Sequence, residues 1–153
     1  MTAVVAMANY GTAHHHKSSN KTTKEKLIRV LLDSGLDGDL LFHQKGKPKH
    51  FPYLTRQVPC SWHMSNGVLQ TKGRSKLSIR FFEYSNSKEF LAEPDVFEYD
   101  QKMSKPVFDL IIGCNSMEKL GIVLDFKARS ITIDEIILPM RSIANLTDKS
   151  NLR

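Results

Sequence analysis

Leu27-Ile28-Arg29-Val30-Leu31-Leu32-Asp33-Ser34-Gly35 is an aliphatic run that ends abruptly on a carboxylate. The run has the residues of a buried strand, and Ser-Gly suits a tight turn in which the backbone approaches something else. An acid at the mouth of a buried strand is costly unless it is paired, hydrogen-bonded or protonated. Asp33 therefore points to chemistry; the alternative is an ordinary acid at a strand end.

The 153 residues allow one domain with a real core and hardly two. At 41% hydrophobic and 25% charged, the chain is expected to be globular rather than disordered. The net charge of +6 comes partly from Lys17, Lys21, Lys24 and Lys26 and from Lys45, Lys47 and Lys49. Aromatic residues do not interleave with these cations, which favours solvated surface over a nucleic-acid face. Cys60 and Cys114 have no Cys-x-x-Cys spacing and read as free thiols in a reducing compartment. Ala3 to Ala8 is too short for a signal peptide or a membrane span, so the expectation is a soluble intracellular protein. His14-His15-His16 reads as a solvated loop, because consecutive histidines do not close a coordination sphere unaided. No cofactor and no metal are expected.

Thr2 to Tyr10 reads as a first strand, residues 11–26 as a polar loop, and Leu27 to Leu32 as the second strand. Leu40-Leu41-Phe42 follows as a short strand, then a basic loop from Gln44 to Pro52 with two prolines. Gln57 to Met64 and Val68 to Thr71 flank Asn66-Gly67, the strongest short hairpin signal in the chain. Leu77 to Tyr84 alternates as a half-buried strand, and Lys88 to Tyr99 is extended with a break at Pro94. Phe108 to Ile112 is a second aliphatic strand ending at Gly113. Asn115 is placed to cap a short helix with Glu118 as reciprocal partner, and Gly121 to stop it. Ile122 to Phe126 and Ser130 to Ile133 close as a hairpin. Many short strands with one short helix make a mostly-β domain.

The order of these pieces resembles the retropepsin family of aspartic proteases, in particular the protease domains of long-terminal-repeat retrotransposons of Gypsy type. Leu31-Leu32-Asp33-Ser34-Gly35 resembles the family's active-site turn, with Asp37 at its acidic position beside the substrate cleft. Trp62 to Gly73 falls where the flap lies, and Asp109 to Asn115 is similar to the strand and helix start that follow. Leu120 to Phe126, Ile131 to Asp134 and Leu138-Pro139-Met140 are similar to the closing strands. The resemblance implies a closed, barrel-like β fold with one C-terminal helix, one lobe per chain, over residues 1–140. Residues 141–153 would be a polar tail or linker.

It also implies an aspartic endopeptidase that cleaves its own Gag-Pol polyprotein. Such an enzyme needs two carboxylates sharing one proton. With one Asp-Ser-Gly per chain, the second Asp33 comes from another copy, which makes a homodimer. Ser34 would then tie the two turns together, and Gly35 would let the peptide lie close. Leu36 and Asp37 would border the cleft, while Trp62, Met64, Asn66 and Gly67 belong to the flap. Trp62 is equally readable as core; Asp125 and Asp134 read as acids without a catalytic part. Two positions depart from the family pattern. Leu36 is larger than the usual Ala or Ser and would narrow the cleft or displace the substrate backbone. Cys114 replaces an Arg that pairs with Asp37, so Asp37 is expected to be solvated or to find another cation. These departures define a rival expectation, a catalytically degenerate dimerisation or peptide-binding module. A second rival, a nucleic-acid-binding β-barrel, rests on charge alone.

Overall fold

Aliphatic runs can be buried on both faces of a sheet, and two of them, Val30-Leu31-Leu32 and Leu110-Ile111-Ile112, organise this molecule. The computed structural model describes residues 2–9, 25–49, 51–64, 67–81, 83–85, 88–102 and 105–141, with backbone only for 2–9 and 25–26. In chain order the strands are β1 (Thr2–Asn9), β2 (Glu25–Leu32), β3 (Leu40–Gln44), β4 (Tyr53–Met64), β5 (Gly67–Ser75) and β6 (Leu77–Arg80). They continue with β7 (Phe90–Ala92), β8 (Asp95–Tyr99) and β9 (Leu110–Ile112), then helix α1 (Cys114–Leu120). β10 (Val123–Asp125), β11 (Ser130–Ile133) and β12 (Ile136–Pro139) complete the described chain.

β2 and β9 run parallel, with Val30 opposite Leu110 and Leu32 opposite Ile112. Asp109 sets the start of that ladder: its carboxylate accepts the Arg29 N–H at 2.8 Å, and its own N–H donates to the Arg29 carbonyl at 3.0 Å. Ile28, Val30 and Leu32 pack into the main core with Leu77, Ile79, Leu110, Ile112 and Ile131. On the opposite face Leu31 packs with Leu36, Leu40, Phe108 and Ile111. The strands thus lie between two apolar layers, and that position fixes where their carboxyl ends emerge.

The main sheet has nine strands in the order β4-β5-β8-β3-β9-β2-β1-β6-β7, and β10-β11-β12 form a separate antiparallel sheet. The mostly-β expectation with one short helix is met. The closed barrel is not: among the described residues no ladder joins the ends β4 and β7. No described helix is long and apolar enough to cross a membrane.

Several boundaries differ from the sequence expectation. The segment expected to run from Leu77 to Tyr84 stops as a strand at Arg80. There the Phe81 carbonyl accepts the N–H groups of both Tyr84 and Ser85, which turns the chain. Lys88 to Tyr99 divides into β7 and β8 at Pro94, whose carbonyl takes the Ser75 N–H at 2.9 Å. Glu25 and Lys26, assigned to the polar loop, belong to β2. The rest of that loop, with the three histidines, lies outside the described residues. So does the tail beyond Arg141, and Arg141 itself folds back onto both carboxylate oxygens of Glu83. Gly121 stops α1 as expected, in the left-handed conformation at φ 64°.

Candidate active site

β2 delivers Asp33 to the surface at the end of the parallel ladder. Its N–H donates to the Ile112 carbonyl at 2.9 Å, so the ladder runs one residue beyond the strand and anchors the turn. Asp33 Oδ1 accepts the Gly35 N–H at 2.8 Å, and the Leu36 N–H closes onto the Asp33 carbonyl at 3.3 Å. A Cβ on Gly35 would lie 3.1 Å from that same Oδ1, so a larger residue would crowd the carboxylate. Asp33 is half-buried, and Ser34 and Gly35 are exposed.

The loop after the turn is seated on the start of α1. The Cys114 N–H donates to the Leu36 carbonyl at 2.7 Å and the Asn115 N–H to the Asp37 carbonyl at 2.9 Å. Asp39 takes two more donors, the Gly113 N–H on Oδ1 at 2.9 Å and the Ser116 hydroxyl on Oδ2 at 2.5 Å. The N–H groups of Gly113, Cys114 and Asn115 at the helix start are therefore satisfied by the loop after the turn. The cap expected from Asn115 is not formed. Gly113 is the N-cap, and the capping carboxylate comes from 74 residues earlier in the chain. The Cys114 thiol donates to the Ser34 carbonyl at 3.0 Å.

These contacts locate the two departures from the family pattern. Leu36 is buried within the apolar layer of Leu31, Leu40, Phe108 and Ile111. Asp37 is exposed, the solvated outcome of the two expected for an acid deprived of its guanidinium. Asp39, which the sequence reading passed over, is the buried one, at 7% exposure.

Burial raises the Asp39 carboxyl above its ordinary value of 3.8, outweighing the lowering by the Ser116 and Gly113 hydrogen bonds and by the Lys119 charge. A raised folded-state value means that the native state holds the proton more tightly than the unfolded chain. The stability Asp39 contributes is full below the ordinary value and falls as pH rises through the raised one. Asp39→Asn can keep both contacts, its carbonyl accepting from Gly113 and its amide donating to Ser116. That variant is expected to lose the fall in stability across this window, read as urea midpoints against pH. Asp39→Ala strands the Gly113 N–H and is expected to cost about 1–3 kcal/mol at any pH.

The hairpin of β4 and β5 lies over the same side. Its arms are longer than expected, and Met64 pairs with Gly67, which sits at φ 128°. Ser65 and Asn66 lie outside the described residues. Between Thr55 and Cys60 the register shifts, setting residues 56–59 against Lys72 alone. Trp62, Met64 and Leu69 pack against the layer that holds Leu31 and Leu36, while Val68 is exposed. Trp62 is half-buried and reaches the loop after the turn: a Cβ on Gly38 would stand 3.1 Å from its Cη2. Its Nε1–H is shared between Thr71 Oγ1 at 3.2 Å and Asp95 Oδ2 at 3.1 Å. Asp95, only 3% exposed, also receives Thr71 Oγ1 at 3.1 Å and an ion pair from Arg56, and its N–H donates to the Asp39 carbonyl at 3.0 Å.

The structure therefore brings Asp33, Ser34, Gly35, Leu36, Asp37, Trp62 and Met64 to one region, with Gly67 at the far end of the hairpin. Sequence reasoning missed Asp39, Ser116, Thr71 and Asp95, whose partners are remote in the chain. The available signal for Asp39 was its place beside the turn in an Asp-x-Asp pair, which does not say which acid turns inward. Cys60 and Cys114 are free thiols, as expected. Among the described residues no group of His, Cys, Asp and Glu is arranged to hold a metal.

No protein-family model matches the chain, and no curated protein matches it. Among solved structures it is similar to the retroviral protease-like domain of Ddi1 from Leishmania major. The two are 18% identical with a TM-score of 0.52, over 94% of this chain and 97% of that one. A likeness at that identity establishes a shared retroviral protease-like fold and no more.

Proposed function

We propose that the chain is an aspartic endopeptidase of retropepsin type, active as a homodimer on extended polypeptide. The observation that carries this reading is Asp33, held by the Gly35 N–H at the end of a buried parallel ladder, in a retroviral protease-like fold. In the dimer the Asp33 carboxylates of the two copies share one proton, because like charges at close range do not both ionise. The ionised carboxylate takes a proton from water as the oxygen attacks the scissile carbonyl. The protonated one gives its proton to the carbonyl oxygen. Collapse of the resulting diol returns that proton and passes another to the leaving amide nitrogen, which breaks the C–N bond. The hairpin closes over the peptide and excludes water, and the peptide binds as an added strand. The expected substrate is a retrotransposon Gag-Pol polyprotein processed inside the cell.

Dimerisation makes a sharp test. Wild-type chains mixed and exchanged with an equal amount of Asp33→Asn chains are expected to show about half the activity of the same wild-type chains alone, since mixed dimers are dead. Undiminished activity would show that each chain works by itself. The exposed apolar residues Val123, Phe126 and Ile137 around β10–β12 are surface that a second copy could cover.

A second reading, a peptide-binding module without catalysis, is favoured by Cys114 and the exposed Asp37. Pepstatin-sensitive cleavage of a peptide library would exclude it, and saturable peptide binding without turnover would establish it.

A further inference from the structure

We propose that Trp62 is the specificity-determining wall of the cleft and that Asp95 is the positioning residue that sets it there. This rests on the peptidase reading and adds the chemistry of one subsite, which takes a bulky apolar side chain of the bound peptide. The indole bridges two parts of the fold. Its nitrogen edge is tied to Thr71 and Asp95 at the base of the hairpin, and its far edge lies against Gly38, five residues beyond Asp33.

Asp95 can orient the ring because it is itself fixed. It is buried, pairs with Arg56, accepts from Thr71 and is bound through its N–H to the loop that carries Asp39. A ring held at one edge only would swing; held at both, it presents a defined surface. With the indole N–H already satisfied, what remains is hydrocarbon and π surface. Its neighbours Met64, Leu69 and the Leu31–Leu36 layer are apolar as well. A charged or strongly polar peptide side chain would lose its water here and gain no partner. Gly38 also has a reason in this arrangement: a Cβ there would stand 3.1 Å from the ring edge, so a methyl makes the ring give by a few tenths of an ångström and a larger side chain moves it further.

Trp62 is the sole tryptophan of the chain, so intrinsic fluorescence reports on this residue alone. The experiment uses a peptide that the wild type cleaves and Asp33→Asn does not, and titrates it into the uncleaving Asp33→Asn protein. A saturable change in emission is expected with a bulky apolar residue at the subsite, and a binding constant weakened about tenfold or more when that residue becomes Gly or Asp. In otherwise wild-type protein, Asp95→Ala, which removes the acceptor that an Asn oxygen would keep, and Gly38→Val are each expected to raise KM about tenfold for the bulky peptide, with little change for the Gly-substituted one. A merely structural role for Asp95 would instead lower activity on both peptides alike.

Emission that stays constant while calorimetry shows the peptide bound would overturn the inference and leave the peptidase reading intact. So would equal losses on the two peptides in both variants. A wild type that cleaves no peptide, or an Asp33→Asn protein that still cleaves, would instead remove the reading beneath it.

Discussion

Asp33→Asn is expected to give a folded dimer that has lost peptide hydrolysis by about a thousandfold or more, the scale on which positioned acid–base groups act. The fold survives because the side-chain oxygen of Asn can still accept the Gly35 N–H that Asp33 accepts at 2.8 Å. The chemistry does not, because an amide neither takes the proton from water nor supplies one to the scissile carbonyl. Product formation followed by mass spectrometry, beside urea midpoints of both proteins, separates the two effects. A variant that cleaves within tenfold of wild type would end the assignment of Asp33.

The largest structural effect is expected at Gly113. A Cβ there would sit 2.3 Å from the Gly38 carbonyl oxygen, 2.7 Å from that of Leu36 and 2.9 Å from the Asp37 carbonyl carbon. All three belong to the loop after the turn, and no flexible side chain is available to give way. Moving that loop also strains the N–H contacts of Cys114 and Asn115 and the Asp39 contact to Gly113. Overpacking costs about 1–3 kcal/mol, and each stranded donor about as much again. Gly113→Ala is therefore expected to lose about 4 kcal/mol, a large share of a small domain's stability. Gly35→Ala is the control: its methyl meets only the end of the Asp33 side chain, so it should disturb activity far more than the unfolding midpoint. An unchanged midpoint for Gly113→Ala would mean that the loop is not seated on the helix as described.

Much of the fold could be read from local pattern. The aliphatic runs Val30-Leu31-Leu32 of β2 and Leu110-Ile111-Ile112 of β9 announce themselves because burial on both faces leaves no polar alternation there. The β4–β5 hairpin was marked by its turn, and the end of α1 by Gly121 in its left-handed conformation. The Asp33-Ser34-Gly35 turn was legible because its residues are consecutive. Its support was not. Asp39 acts on Gly113 and Ser116, and Asp95 on Trp62 and Thr71, across tens of residues. Nothing in Asp37-Gly38-Asp39 says which carboxylate turns inward until the helix is present to receive it. The cap was misassigned because the helix begins earlier than its local pattern suggests: Gly113 is the N-cap, Asn115 already lies in the first turn, and the Met117 N–H donates to the Gly113 carbonyl.

The way the turn is braced also bears on the salt the domain can withstand. Surface pairs such as Lys76–Glu93 at 3.7 Å and Lys88–Asp134 at 3.2 Å are weak in any case and fade as added ions screen them. In molar salt the screening length shrinks to about 3 Å. The Arg29–Asp109 pair, at 3.4 Å, lies back along the ladder, and the Asp33 turn itself is braced in another way. The turn is held by main-chain N–H groups, one thiol and the buried Asp39, and among the described residues no guanidinium braces loop to helix. Brine that loosens an ion-paired brace would leave this one standing, and kosmotropic salts would tighten the apolar layers on either side of it.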